Sequence, residues 1–348
     1  MDKKEIIRQL NQLADKMDAK LAKKFLDSVQ SLKGNIDWKQ VETLLEAGDF
    51  NGVLQIFSPG LTEASFTPFT VGITEAFIAG GSFVAGVVPA FRSSATGSMV
   101  NVAFDIANPE LTTVLHSYKM SLIREISNST LQIVQDELRD SISGGINPIE
   151  ASRRIRDTLG LTTHQRMAVE RFRAELEKIG TSGDKTSRMA LRNILQRKLR
   201  DRRFDAGVVE AVRSNMMLPT AKINKIVTRY QDRMLKRRAE TVARTESIRA
   251  LNMANQALWE QQVTDGKIEE NRVERLWIVT RDGHARDAHV YLGDRYGKTP
   301  KGVGLNEPFQ SPLGPIRYPG DPNARAGNTI NCRCTVFVRV RPLPSEDA

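Results

Sequence analysis

The sequence predicts a mainly α protein: an elongated multi-helix body with a small α+β module near its C-terminal end. Three observations predict it. Apolar residues recur at three- and four-residue spacing through residues 3–50 and 109–263, as they do on helices with one buried stripe. Capping residues, Pro and Gly punctuate that pattern at the places where helices start and stop. Beyond residue 270 the texture changes to short β-prone runs set among Pro and Gly.

Residues 1–50 form an N-terminal helical segment. Ile6, Ile7, Leu10, Leu13, Met17, Leu21 and Phe25 make an amphipathic stripe that Gly34-Asn35 interrupts. Trp38, Val41, Leu44 and Leu45 then mark a second short helix ending near Gly48. Two packed helices are the simple reading, and a docking arm for a partner is the alternative. Residues 51–110 read as an irregular Gly/Pro/Phe-rich segment. Phenylalanines from Phe57 to Phe104 run through it, so it is no polar linker. Within it, 69–91 carries only Glu75 as a charge, but its glycines and Pro89 favour a buried or hinge-like segment. A membrane span needs about 20 strongly apolar residues, so a membrane partner is not expected.

Residues 111–270 read as the helical body. Asn108-Pro109-Glu110 opens a long helix, because Pro tolerates the first helical position and an acidic side chain suits the positive end. Gly144-Gly145 stops it. Asn147-Pro148 restarts a helix that Gly160 ends, and Thr162 or Thr163 caps the next, which runs to Gly180. Further helices are expected over 186–199 and over 221–263, closed by Gly266. Residues 271–341 form the α+β module, with strand candidates at 276–279 and 335–340, and 342–348 is a tail.

A chain of 348 residues accommodates two or three domains, and 26% charged residues exclude general disorder. The net charge of +10 suits a polyanionic partner. Sparse aromatics argue against a stacking platform for single strands. The N-terminal residues lack the apolar core of a signal peptide, and two cysteines exclude a disulfide scaffold. No Gly-rich phosphate loop, Ser-His-Asp set or catalytic carboxylate pair is evident, so no enzymatic activity is expected.

The positive charge is concentrated. Residues 185–249 hold 18 Lys and Arg against 6 Asp and Glu, which gives 18 − 6 = +12. One cluster is Arg197, Lys198, Arg200, Arg202 and Arg203; the other is Arg233, Lys236, Arg237 and Arg238. Helical Lys and Arg neutralise phosphates without reading base sequence. Sequence-independent double-stranded DNA is therefore the favoured partner, ahead of an acidic protein surface and a merely solvated face.

In the module, alternation places Cys332 and Cys334 on one face and Arg333 on the other. With His284 and His289 they make four candidate zinc ligands, but His-x4-His is an unfamiliar spacing. Two small thiols packed as hydrophobes are the preferred reading, with zinc as the weaker one and no cofactor expected. A disulfide between them would be strained. Asp282, Arg286, Asp287, His289 and Arg333 are expected to form an ion-pair and hydrogen-bond network in a module with little apolar core.

The runs WIVTRDGHARDAH, FQSPLGPIRYPGD and NTINCRCTV, the last holding Asn331, resemble the Mu F-like minor head proteins of tailed phages. Upstream, FDIANPEL, GGINPIEASRRIRDTLGLTTHQRMAVERFRAEL and VARTESIRALNMANQ resemble them in the same order. The resemblance covers about residues 104–340 and implies a structural component of the virion. Such a protein is assembled in the host cytoplasm and built into the head near the portal vertex in few copies. It serves head assembly, genome packaging or delivery. The portal protein is the implied partner, with major capsid or scaffold protein as further candidates. The match at Arg244 and Glu246 implies contact with the C-terminal module, a solvated helix face being the alternative. Some members carry a Cys-x-x-Cys pair and a later His that complete a zinc-like set with the terminal Cys-Arg-Cys. Here Arg286, His289 and Thr329 stand at those positions. The rival functions are a metal-dependent nuclease and a membrane-inserting ejection protein.

Overall fold

Capping residues set the helix limits along the chain. The computed structural model describes residues 2–93, 96–181, 183–280, 283 and 285–342. The first helices are α1 (Lys3–Gly34), α2 (Trp38–Glu46), α3 (Phe50–Ile56) and α4 (Pro59–Val87). Asp37 and Asp49 cap α2 and α3 by accepting the Gln40 and Gly52 amides. A short hairpin follows, β1 (Phe91–Arg92) against β2 (Met99–Val100). The body continues with α5 (Pro109–Ser143), α6 (Pro148–Thr158), α7 (Thr163–Glu177), α8 (Gly183–Gln196), α9 (Asp205–Arg213) and α10 (Thr220–Thr264). Thr162 is the cap of α7 and forms a reciprocal capping box with Gln165.

The module begins with β3 (Val273–Ile278), then α11 (Asp287–Tyr296), β4 (Phe309–Ser311), β5 (Gly314–Ile316), α12 (Ala326–Thr329) and β6 (Thr335–Val340). β6 pairs antiparallel with β3, Val273 opposite Val340 and Ile278 opposite Thr335. β4 and β5 form a separate hairpin.

Two expectations need correction. Residues 51–110 are not irregular as a whole, because α3 and α4 fill most of the stretch. The glycines there mark close packing: a Cβ on Gly80 would sit 2.8 Å from the Leu251 Cα. By length and composition, 50–87 could cross a membrane, yet Phe66, Phe69, Ile73, Ala76 and Phe77 are buried within the protein. Second, the domains are interleaved in sequence. One unit is Met1–Phe25, Pro68–Lys119 and Ala239–Ala348; the other is Leu26–Thr67 and Met120–Arg238. Within the α+β module, the stretch after β3 contains α11, which buries His289, Leu292 and Tyr296 at three- and four-residue spacing.

In the first unit, the apolar core gathers Val84, Phe91, Leu258, Trp259, Val273 and Leu305. This packing fixes α10 against α4 and gives the module a floor. Replacing Gly80 by Val would force α4 away from α10, and overpacking of this kind costs about 1–3 kcal/mol. A loss of that size in urea denaturation is the expected outcome for G80V; an unchanged midpoint would show that α4 and α10 do not approach this closely.

In the second unit, Arg166 is buried and pairs with Asp140 at 2.6 Å and with Glu137 at 3.4 Å. Burial, reinforced by the like charge of Glu170, pushes the Glu137 carboxyl up to about 7 against the guanidinium's opposing pull. The folded state thus holds a proton that the unfolded chain releases near the ordinary value of 4.5. Stability should fall as pH rises from about 4.5 to about 7, by up to roughly 3 kcal/mol, because the unfolded state binds fewer protons there. Glu137→Gln should flatten that dependence in denaturation measured across the interval, and a slope unchanged in E137Q would exclude Glu137 as its source.

Candidate functional site

The module has an apolar centre of its own, with Leu276, Trp277, Leu292, Tyr296, Phe309 and Ile316 buried, contrary to the expectation of little apolar core, and its backbone is tied further by polar side chains from α10 and β3. On α10, Thr245, Arg249, Asn252 and Gln256 recur at helical spacing and share a face. Asn252 Oδ1 accepts the Val336 amide at 3.1 Å and the Thr335 hydroxyl at 3.3 Å. Asn255 Nδ2 donates to the Val336 carbonyl at 3.0 Å, and Gln256 Nε2 to the Leu305 carbonyl at 3.0 Å. Arg249 Nε reaches the Gly320 carbonyl at 2.6 Å, while its Nη1 pairs with the buried Glu246 at 3.0 Å. From β3, Arg275 is 1% exposed. It donates to the carbonyls of Gly304, Arg317 and Glu307 and to Gln256 Oε1. Burial pushes its pKa down to about 10.

Beside this frame, Asn331 adopts φ 58°, a left-handed conformation that Asn tolerates better than most residues. The turn points its amide at Thr245 Oγ1, 2.9 Å away, and its side-chain oxygen at Arg244 Nη1, 3.0 Å away. The expected contact between Arg244 and the module is therefore made. Among the described residues, Glu246 reaches the module through Arg249. Arg244 also pairs with Asp18 of α1 at 3.4 Å.

Cys332 and Cys334 are buried and turned toward His289, whose Nδ1 lies 3.4 and 3.5 Å from the two sulfurs. His289 Nε2 is held by Asn328 Oδ1 at 3.1 Å, which fixes the ring. Arg333 points the other way and pairs with Asp15 at 3.1 Å. A hydrogen bond from Cys334 lowers the Cys332 pKa, and the same bond, with burial, raises that of Cys334. The two thiols therefore share a proton more readily than they lose two. Zn–S and Zn–N bonds of about 2.3 and 2.0 Å imply N–S separations of about 3.5 Å in a tetrahedral site. The three donors thus fit three corners. Among the described residues no other His, Cys, Asp or Glu joins them, and His284 lies outside those residues.

Of the network expected of Asp282, Arg286, Asp287, His289 and Arg333, the described members Arg286, Asp287, His289 and Arg333 do not bond one another. Arg286 donates to the Ile330 carbonyl, His289 bonds Asn328, and Asp287 is exposed at the start of α11. Asp282 lies outside the described residues. Sequence reasoning missed Thr245, Arg249, Asn252, Asn255, Gln256, Arg275 and Asn328. The signal was present on α10: a polar stripe at helical spacing inside a helix with apolar residues on its remaining faces.

The two basic clusters meet in the second unit. Asp201, 3% exposed, pairs with Arg203 at 2.6 Å and with Arg233 at 3.3 Å. The Arg203 guanidinium holds that carboxyl down at about 2. Arg233 Nη1 also donates to the Arg200 carbonyl at 2.5 Å. Three of the nine candidates are structural. Arg197 packs over Phe172 and Tyr230 and donates to the Ala168 carbonyl. Arg200 is bound along its edge to Asp205. Arg238 donates to the Gly160 carbonyl at 2.7 Å, with its pKa pushed down to about 10 by burial. Lys198, Arg202, Arg203, Arg233, Lys236 and Arg237 are exposed.

The thiol pair generates a direct test. Replacing Cys332 and Cys334 by Ser puts hydroxyls where the surroundings suit polarisable sulfur, and each should cost about 1–3 kcal/mol. Zinc content by elemental analysis should be equally low in both proteins. About one zinc per chain in the wild type, absent from C332S/C334S, would establish the metal instead.

Residues 206–337 match the family model described as Phage Mu protein F like protein. No curated protein and no solved structure matches the chain. The matched segment contains the whole of α10 and all of the module through Phe337, the parts that the Thr245–Asn331 and Asn252–Val336 bonds tie together. Over that segment, a little more than a third of the chain, the protein is similar to the phage Mu protein F-like family.

Proposed function

We propose that this is a structural minor head protein of a tailed phage, placed at the portal vertex, which contacts the packaged genome without reading its sequence. The match to the family model supports the coarser statement, a role in phage head morphogenesis. The observation that carries the finer one is the shared Asp201. It draws Arg203 and Arg233, thirty residues apart in sequence, into one basic patch with Lys198, Arg202, Lys236 and Arg237 exposed nearby in sequence. A patch of this kind presents cations without donors or acceptors arranged for base edges. Phosphate neutralisation is what such a surface does best.

A salt titration of duplex binding tests the reading. Lys198, Arg202 and Lys236 are exposed and appear in no ion pair among the described residues, so K198Q/R202Q/K236Q should leave the fold intact. Arg238 is unsuitable for this purpose, since removing it strands the Gly160 carbonyl. Counterion release predicts that the triple variant flattens the log–log slope by up to about 2.7 and weakens all duplexes alike. A folded variant with the wild-type slope would remove these residues from the DNA contact. Loss of portal binding with DNA binding intact would make the patch a protein-docking surface.

A further inference from the structure

β6 has two edges, and only one is fully used. The Arg341 amide donates to the Arg272 carbonyl at 2.8 Å, one position beyond the Val273–Val340 pair. Antiparallel ladders alternate, so residues 335, 337, 339 and 341 bond to β3 while 336, 338 and 340 turn their backbone groups outward. The opposite strand agrees: Arg275, across from Val338, turns outward to exchange both its backbone bonds with Val303. On the outward edge of β6, Val336 is satisfied by Asn252 and Asn255. Val338 and Val340 have no backbone partner on that side among the described residues.

That open edge faces a groove of about 520 Å3, inside the range of pockets that enclose ligands. Consecutive residues from Val336 to Pro342 line it, so the groove meets the edge of the strand rather than one of its faces. The opposite wall is apolar, with Ile6, Leu10, Phe83, Val87 and Val88. Asn255 and Trp259 also line it, and each holds a buried polar atom, Oδ1 and Nε1, with no hydrogen-bond partner among the described residues. The lining contains no Asp or Glu but four arginines, Arg92, Arg272, Arg339 and Arg341. Arg339 and Arg341 are 44% and 47% exposed and share the buried Glu274, at 3.8 and 3.9 Å, while Arg341 Nη1 also donates to the Asn271 carbonyl at 3.2 Å.

We infer that this groove receives an extended segment of another protein, which adds as a strand to the outer edge of β6. The open amides and carbonyls of Val338 and Val340 supply the backbone pairing, as in other β-augmentation complexes. The apolar wall takes alternate side chains of the incoming strand. The arginine rim calls for carboxylates flanking the apolar positions. The occupant is therefore an acidic peptide strand with alternating apolar residues. None of these residues belongs to the basic patch of the second unit, so this inference stands or falls separately from DNA contact.

The probe is a synthetic peptide of alternating valine and threonine with aspartates at both ends, against the same peptide ended by lysines. Fluorescence anisotropy with the full chain should show the aspartate peptide binding at least about tenfold more tightly, a difference of about 1.4 kcal/mol. Amide exchange at Val338 and Val340 should slow when it binds. Val340→Pro removes an outward amide and leaves the β3 ladder bonded, so V340P should lower affinity about tenfold. Ala90→Trp, at an exposed lining position, should block the groove by bulk and serves if V340P fails to fold. Failure of the aspartate peptide to bind, or equal binding of both peptides, would overturn the proposal. So would affinity indifferent to both variants. A long-chain fatty acid that displaces the peptide and binds V340P as well as wild type would make the groove a lipid site. Dimerisation abolished by V340P would make the occupant a second copy of this chain.

Discussion

The module depends on one constraint: the backbone at the start of β6 must find its partners on α10. Asn252 takes the Val336 amide and the Thr335 hydroxyl, and Asn255 gives to the Val336 carbonyl. Leaving such a buried group unpaired costs about 1–3 kcal/mol. A helix with leucines at these positions would pack well and still strand the strand's end. The amides therefore specify where β6 starts, and through the β3 ladder they set the register of the sheet. Arg275 extends the same logic. Its guanidinium has no paired carboxylate among the described residues and acts as a cross-link, binding the loop carbonyls of Gly304, Glu307 and Arg317 to Gln256 of α10. Arg suits this work because its donors form a rigid planar fork, which Lys lacks.

This arrangement explains why α10 and the module form one matched segment, 206–337. A strand pair and a short hairpin cannot bury enough surface to stand alone. Here α10 supplies what is missing, by packing Leu258 and Trp259 against Val273 and Leu305 and by partnering the backbone of β6 in hydrogen bonds. The turn at Asn331 shows the cost accepted for it. A non-glycine residue takes a left-handed conformation so that its amide meets Thr245 and its side chain meets Arg244.

Much of the helical body was legible because caps are local chemistry. Asn147-Pro148, Thr162 with Gln165, and Gly160 with φ 84° each state a helix limit within a few residues. α4 was not legible, because Gly72, Gly80 and Gly81 look like helix breakers until the chains that approach them are known. α11 was hidden in the same way: its buried face needs only His289, Leu292 and Tyr296, and one of these is a histidine. Charge was readable as quantity but not as use. Arg197, Arg200 and Arg238 count toward the same positive stretch as Lys198 and Lys236. Only the positions of Phe172, Asp205 and Gly160 reveal that they hold the fold. Cys332 and Cys334 were placed correctly on one face, since alternation is a backbone property. The partners of Arg286 and Arg333 were not, since they come from distant segments.

The thiol corner ties the short helices of the module to its last strand. The resemblance would place further ligands of a zinc-like set at Arg286 and Thr329. Both have work of their own: Arg286 donates to the Ile330 carbonyl, and Thr329 bonds Ala326 to close α12. His289, at the remaining position, spans the gap between Asn328 and the two sulfurs. Each of these contacts ties α11 or α12 to the segment that enters β6, which is the tie a metal ion would make. A small fold needs such a staple because its apolar core alone stabilises it too little. Hydrogen bonds through a fixed imidazole and a guanidinium contribute to that staple, and the two thiols face a ring whose orientation Asn328 has set.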